Sequence, residues 1–135
     1  MSRGLRNNNP GNIRNSNDLF LGEIRPSTDR SFKQFETMPY GYRAMFICLA
    51  TYFNKYGRDT IDKIIKAWAP PSENDTEKYI ATVESFTGIN RYHRLTMNDG
   101  KAYISIVAAM SRMENGVNAV MSDVKAGFGL QSRIK

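Results

Sequence analysis

Residues 37–57 read TMPYGYRAMFICLATYFNKYG. Within them Tyr42, Met45, Phe46, Leu49, Phe53 and Tyr56 recur at spacings of three and four, so a helix of 3.6 residues per turn gathers them into one apolar stripe. Gly57 then offers a residue that readily takes the left-handed conformation in which helices end. The strongest pattern in the chain is therefore helical.

The same period continues downstream. Asp59 is placed to cap a helix with Asp62 in its first turn, and Ile61, Ile64, Ile65 and Trp68 form its stripe until Pro70-Pro71 stops it. A third helix is expected from Asn74 or Asp75 to Gly88, with Tyr79, Ile80, Val83 and Phe86 facing inward. Thr96 and Asp99 resemble a capping box ahead of Tyr103, Ile106, Val107, Met110 and Met113, a helix that must close near Gly116. A short last helix is expected over 117–125, before a Gly-rich end. Upstream, residues 1–18 turn at Asn9-Pro10-Gly11 and read as an ordered loop or an arm. Two short runs, 19–24 and 31–35, flank a Pro-Ser-Thr-Asp segment and suggest a small hairpin. The expected fold class is α+β, mainly helical: one domain over 1–135, with a loop and β lobe in 1–36 and a helical part in 37–135.

Bulk properties narrow the function. A length of 135 residues suits one core, and 41% apolar content separates the chain from disordered sequences. The net charge of +6 favours polyanionic partners. Its sources, among them Arg3, Arg6, Arg25, Arg30, Arg91, Arg94, Arg112 and Arg133, are scattered, which argues against a nucleic-acid-binding face. Cys48 is the single cysteine, so no intramolecular disulfide is possible, and its apolar surroundings predict a buried, inert thiol. With one histidine as well, a structural zinc site lacks ligands, and no metal or cofactor is expected. No apolar run is long enough to span a bilayer and the start has no signal-peptide core. The expectation is synthesis in the bacterial cytoplasm without a signal peptide.

Glu114 is the most informative single residue. It falls one turn after Met110 and two after Val107, which carries a carboxylate onto or beside the buried stripe, in the last turn before Gly116. Partial burial and the negative helix end both disfavour its ionised form and prepare it as a general acid. The competing reading pairs it with Arg112 or Lys101 at a helix end. Glu23 and Asp29, on the hairpin, are candidates for the second carboxylate that glycoside hydrolysis uses, or are plain turn residues. Glu73 sits in the rigid Pro-Pro-Ser-Glu loop, suited to substrate contact or to capping. Tyr92, His93 and Arg94 form a polar aromatic patch without a distinct role.

Four segments carry a resemblance: NNNPGNIR (7–14), FKQFETMPYGYRAM (32–45), DTIDKIIKAWAPPSENDTEKYI (59–80) and AAMSRMENG (108–116). Together they resemble a phage virion structural-protein family with a lysozyme-like domain. More distantly, the order of parts is similar to bacterial glucosaminidases of the autolysin type, which run from a Glu-bearing helix to an Asn-x-Gly-Ile-Lys loop, a hairpin and a helix. Here the loop and hairpin come first and the helix with Glu114 last, as in a circular permutation. The resemblance implies a lysozyme-like domain that cleaves the glycan strands of peptidoglycan as a muramidase, glucosaminidase or lytic transglycosylase, with Glu114 beside the N-terminal loop. Asn8, Asn9, Asn12 and Arg14 would then line the cleft and hold N-acetyl and hydroxyl groups. The implied partners are bacterial peptidoglycan and other virion proteins, and the implied place of action is the cell wall. A non-catalytic wall-binding or virion structural module is the alternative, and a basic nucleic-acid-binding protein the third reading.

Overall fold

The elements follow in the order α1 (Arg3–Arg6), β1 (Glu23–Ile24), β2 (Gln34–Phe35), α2 (Met38–Tyr56), α3 (Ile61–Trp68), α4 (Thr76–Thr87), α5 (Gly100–Asn115) and α6 (Met121–Leu130). The computed structural model describes residues 1–131, so Arg133 lies outside them. The class is α+β and mainly helical, with β1 and β2 paired antiparallel through Glu23 with Phe35 and Ile24 with Gln34.

The stripe of α2 forms the centre of the core, where Tyr42, Met45, Phe46 and Leu49 meet Ile61, Ile64 and Ile65 of α3, Ile80 and Val83 of α4, and Ile106, Val107 and Met110 of α5. These side chains are almost wholly removed from water. Tyr56 and Phe86, expected on the inner faces, are 55% and 46% exposed, because both lie in a final turn of their helix, beyond the buried positions.

Local signals are also corrected. The cap of α3 is Thr60, whose side chain accepts from Lys63 N, while Asp59 turns to Lys63 and Arg94. Asp99 is itself the cap residue of α5, and its carboxylate reaches back to Thr96 N at 2.7 Å. The last helix begins at Met121 rather than at 117, since Gly116 in the left-handed region (φ 75°) turns the chain and residues up to Val120 stay non-helical. The Gly-rich end belongs to α6: a Cβ on Gly127 would stand 2.7 Å from Tyr42 Cβ and 2.8 Å from Pro39 O, so glycine lets α6 lie directly on α2. The N-terminal stretch is ordered by α1, whose Ser2 cap also donates to Asn115 Oδ1 at 2.6 Å, while Asn115 Nδ2 donates to Pro10 O at 2.9 Å. The two ends of the sequence pattern thereby meet at the C-terminus of α5.

Candidate active site

A cavity of about 440 Å³ opens beside that junction. Gly11, Asn12, Ile13 and Arg14 border it from the N-terminal loop, Phe32 from the β lobe, Cys48 and Tyr52 from α2, Trp68 from α3, Glu73 and Asn74 from the α3–α4 loop, and Glu114 from α5. The loop is held where it is by its contact with α2. Gly41 makes this possible, for a Cβ there would collide with Asn8 O.

Glu114 is partly buried and bonded through both oxygens. Asn12 Nδ2 donates to Oε1 at 2.9 Å and the Tyr79 hydroxyl donates to Oε2 at 3.0 Å. Burial raises its carboxyl above the ordinary glutamate range, against the opposing pull of hydrogen bonding from Asn12, Tyr79 and Trp68. Arg112 does not neutralise it, since its guanidinium bonds Asn118 Oδ1 at 2.6 Å. A carboxyl of this kind favours its protonated form more than a surface glutamate does, and it faces a cavity large enough for a sugar-sized ligand.

No family model matches the chain. Protein P5 of Pseudoalteromonas phage PM2 is 45% identical to it over 131 residues, which cover 94% of this chain and 80% of that protein. The chain belongs to the family of this phage protein. Among the described residues of this P5-family chain, no helix is long and apolar enough to cross a membrane.

Of the site residues expected from the P5-family sequence, Asn12, Arg14, Glu73 and Glu114 come together at the cavity. Arg14 and Glu73 meet across its rim at 3.1 Å, both more than half exposed, so their pairing adds little stability. Asn8 and Asn9 do not line it. Asn9 is fully buried and folds the loop on itself, donating to Ile13 O and Lys33 O at 2.9 Å each and accepting from Ile13 N at 3.0 Å. Asn8, with φ 51°, donates to Phe35 O at 3.1 Å and ties the loop to β2.

Glu23 and Asp29 are also elsewhere. The Glu23 side chain is 2% exposed and locked 3.0 Å from the fully buried Lys33 ammonium. Asp29 accepts from Arg3 Nε at 2.7 Å, Asn7 Nδ2 at 3.1 Å, and the backbone N–H groups of Ser31 and Phe32 at 2.9 and 3.0 Å. These donors, Arg3 foremost, hold its carboxyl well below the usual range, and its lone pairs are spent on closing the hairpin loop. Neither carboxylate borders the Glu114 cavity. Cys48, expected in the sealed core, is only partly buried and borders it. Tyr79 and Trp68, whose spacing marks them only as inner-face residues of α4 and α3, turn out to be partners of Glu114. The one sequence signal for them is the position of Trp68 just before Pro70-Pro71 and of Tyr79 on the inner face of α4.

Proposed function

We propose that this phage protein cleaves the glycan strands of bacterial peptidoglycan, with Glu114 as general acid. The observation that carries the reading is a partly buried carboxyl, raised by burial, at the wall of a 440 Å³ cavity. The apolar surfaces of Trp68 and Tyr52 offer faces for sugar rings, and Asn12, Arg14 and Asn74 offer polar partners for N-acetyl and hydroxyl groups. The meeting of the N-terminal loop with the end of α5 supports the permuted lysozyme-like arrangement, in which those two parts build one site.

With Glu23 and Asp29 committed to the β lobe, we take the reaction to run on one acid. Glu114 gives its proton to the departing glycosidic oxygen, and the resulting carboxylate accepts the proton of a hydroxyl on the cut sugar as that oxygen closes on the anomeric carbon. The product is an anhydro sugar, as in a lytic transglycosylase. Membership in a phage family favours the second reading, a virion structural or wall-binding module in which the same cavity holds glycan without cutting it.

Mass analysis of fragments released from purified peptidoglycan tests both. Anhydro ends are expected; reducing ends would instead require a water-activating base, with Glu73, which borders the same cavity, the candidate. Glu114→Gln should lose 10²- to 10⁴-fold in rate, about what a general acid contributes, while still binding glycan, and Glu73→Gln should keep most activity. Release of nothing by the wild type would leave the binding module.

A further inference from the structure

The Asn12 amide has two unlike surroundings. Its Nδ2 donates to Glu114 Oε1 at 2.9 Å, while its Oδ1 is buried without a hydrogen-bond partner. That oxygen faces Gly4, where a Cβ would meet Asn115 Oδ1 at 2.6 Å, Asn12 Oδ1 at 2.8 Å and Asn9 O at 2.8 Å. All three are acceptors, so neither of the other two can donate to the orphan oxygen. This orientation suits an ionised Glu114, whose two oxygens each receive a hydrogen. To the acid, which has a hydrogen of its own to place, Asn12 in this orientation offers no acceptor.

Half a turn of the amide reverses both relations. Oδ1 would then accept from a protonated Glu114 Oε1, and Nδ2 would take the place beside Gly4 that Oδ1 now holds. We propose that Asn12 is a positioning residue whose amide reverses with the proton on Glu114, donating to the carboxylate and accepting from the acid. The backbone need not move: Asn12 is fixed at φ 51° with its N–H on Asn9 O at 3.1 Å, and the terminal amide torsion is broad and roughly two-fold. The inference rests on reading Glu114 as the acid, and it gives that acid a hydrogen-bond partner in both halves of a proton-transfer cycle.

Other groups facing Glu114 are less suited to this part. Tyr79 on α4 keeps its proton, since burial holds its hydroxyl well above the usual phenol range, and it accepts from a protonated Oε2 only by turning that proton to the more distant Met110 O, at 3.4 Å against 3.0 Å. From α2, the thiol of Cys48 and the hydroxyl of Tyr52 are likewise raised by burial and stay neutral. Trp68 on α3 carries no charge, Arg14 and Glu73 on the two loops are paired with each other, and Arg112 on α5 is turned to Asn118.

Nuclear magnetic resonance on isotope-labelled protein tests the reversal. The Glu114 carboxyl carbon is titrated, and contacts of the Asn12 side-chain amide hydrogens are read on either side of its midpoint. Above it, contacts to the Glu114 side chain are expected; below it, contacts to the Gly4 α-hydrogens. The same set of contacts at every pH overturns the proposal. Asn12→Gly, which tolerates φ 51°, supplies a second check. A two-way partner bonds both forms, so its loss raises the Glu114 midpoint less than Tyr79→Phe, the loss of a fixed donor, and an equal or larger rise also overturns the proposal. Wall-cleavage assays on the same samples keep the two ideas apart: reversal without cleavage sinks the proposed activity alone, and cleavage without reversal sinks the inference alone.

Discussion

The Tyr79 hydroxyl lies 3.0 Å from Glu114 Oε2 and 3.4 Å from the Met110 carbonyl oxygen, so one phenolic hydrogen stands between two acceptors. Tyr79 comes from α4 and Glu114 from α5; the packing of these two helices therefore sets the geometry of the carboxyl. Donation by Tyr79 favours the charged form of Glu114. Tyr79→Phe removes that donor and keeps the ring in the core. It should raise the Glu114 midpoint in a carboxyl-carbon titration and cost about 0.5–1.5 kcal/mol of stability for the lost hydrogen bond. A lowered midpoint would show that the hydroxyl does not serve the carboxylate.

Stability should carry the same signature. The folded-state value of Glu114 is raised above its unfolded one, so folding favours the protonated form. The contribution is fully present below the ordinary glutamate value of about 4.3 and is lost as pH rises through the raised folded value. Urea unfolding of the wild type and Glu114→Gln across this window isolates the effect. The variant should gain on the wild type as pH rises, and a gap independent of pH would contradict the assigned burial.

Much of this arrangement was legible because helix period and caps are local. The stripe of α2, the Asp75 start of α4 and the stop at Gly116 all follow from neighbours within a turn or two. The position of Glu114 beside a buried stripe was legible in the same way. The β lobe was not: whether Glu23 and Asp29 face a cleft depends on Lys33 and on Arg3, partners that no periodicity links to them. Asn8 and Asn9 mislead for a related reason, since an Asn-rich loop looks the same whether its amides bind sugar or close the loop on itself. Gly127 reads as a helix breaker until the close approach of α2 is known.

Cys48 gives a prediction that position alone would reverse. It borders the cavity, yet burial pushes its thiol up to about 12. Against an ordinary thiol near 8.5, that leaves on the order of a thousandfold less thiolate at neutral pH. Alkylation by iodoacetamide, followed by intact mass, should be slow in the native protein, accelerate with pH, and become fast in urea. Rapid labelling of the native protein at pH 7 would place the thiol in a more polar setting than its surroundings indicate.

The buried pair of Lys33 and Glu23 separates a structural from a catalytic carboxylate. Lys33 Nζ meets Glu23 Oε1 at 3.1 Å and Oε2 at 3.0 Å, and also Asp18 O at 2.8 Å, so one ammonium gathers the 16–23 segment onto β2. Lys33→Met should cost about 3–5 kcal/mol, because it strands a buried carboxylate with, among the described residues, only the more exposed Arg25 as counter-ion. Pairing it with Glu23→Leu removes the stranded charge and should recover part of that loss. The recovery is incomplete, since the backbone oxygens that Lys33 served lose a donor as well. Urea unfolding and wall cleavage measured side by side give the discriminating result. If Glu23 serves the fold alone, Glu23→Gln loses activity only in proportion to the protein it unfolds, and the folded fraction works at the wild-type rate. A folded, stable Glu23→Gln without activity would return this carboxylate to the reaction and rule out the single-acid route.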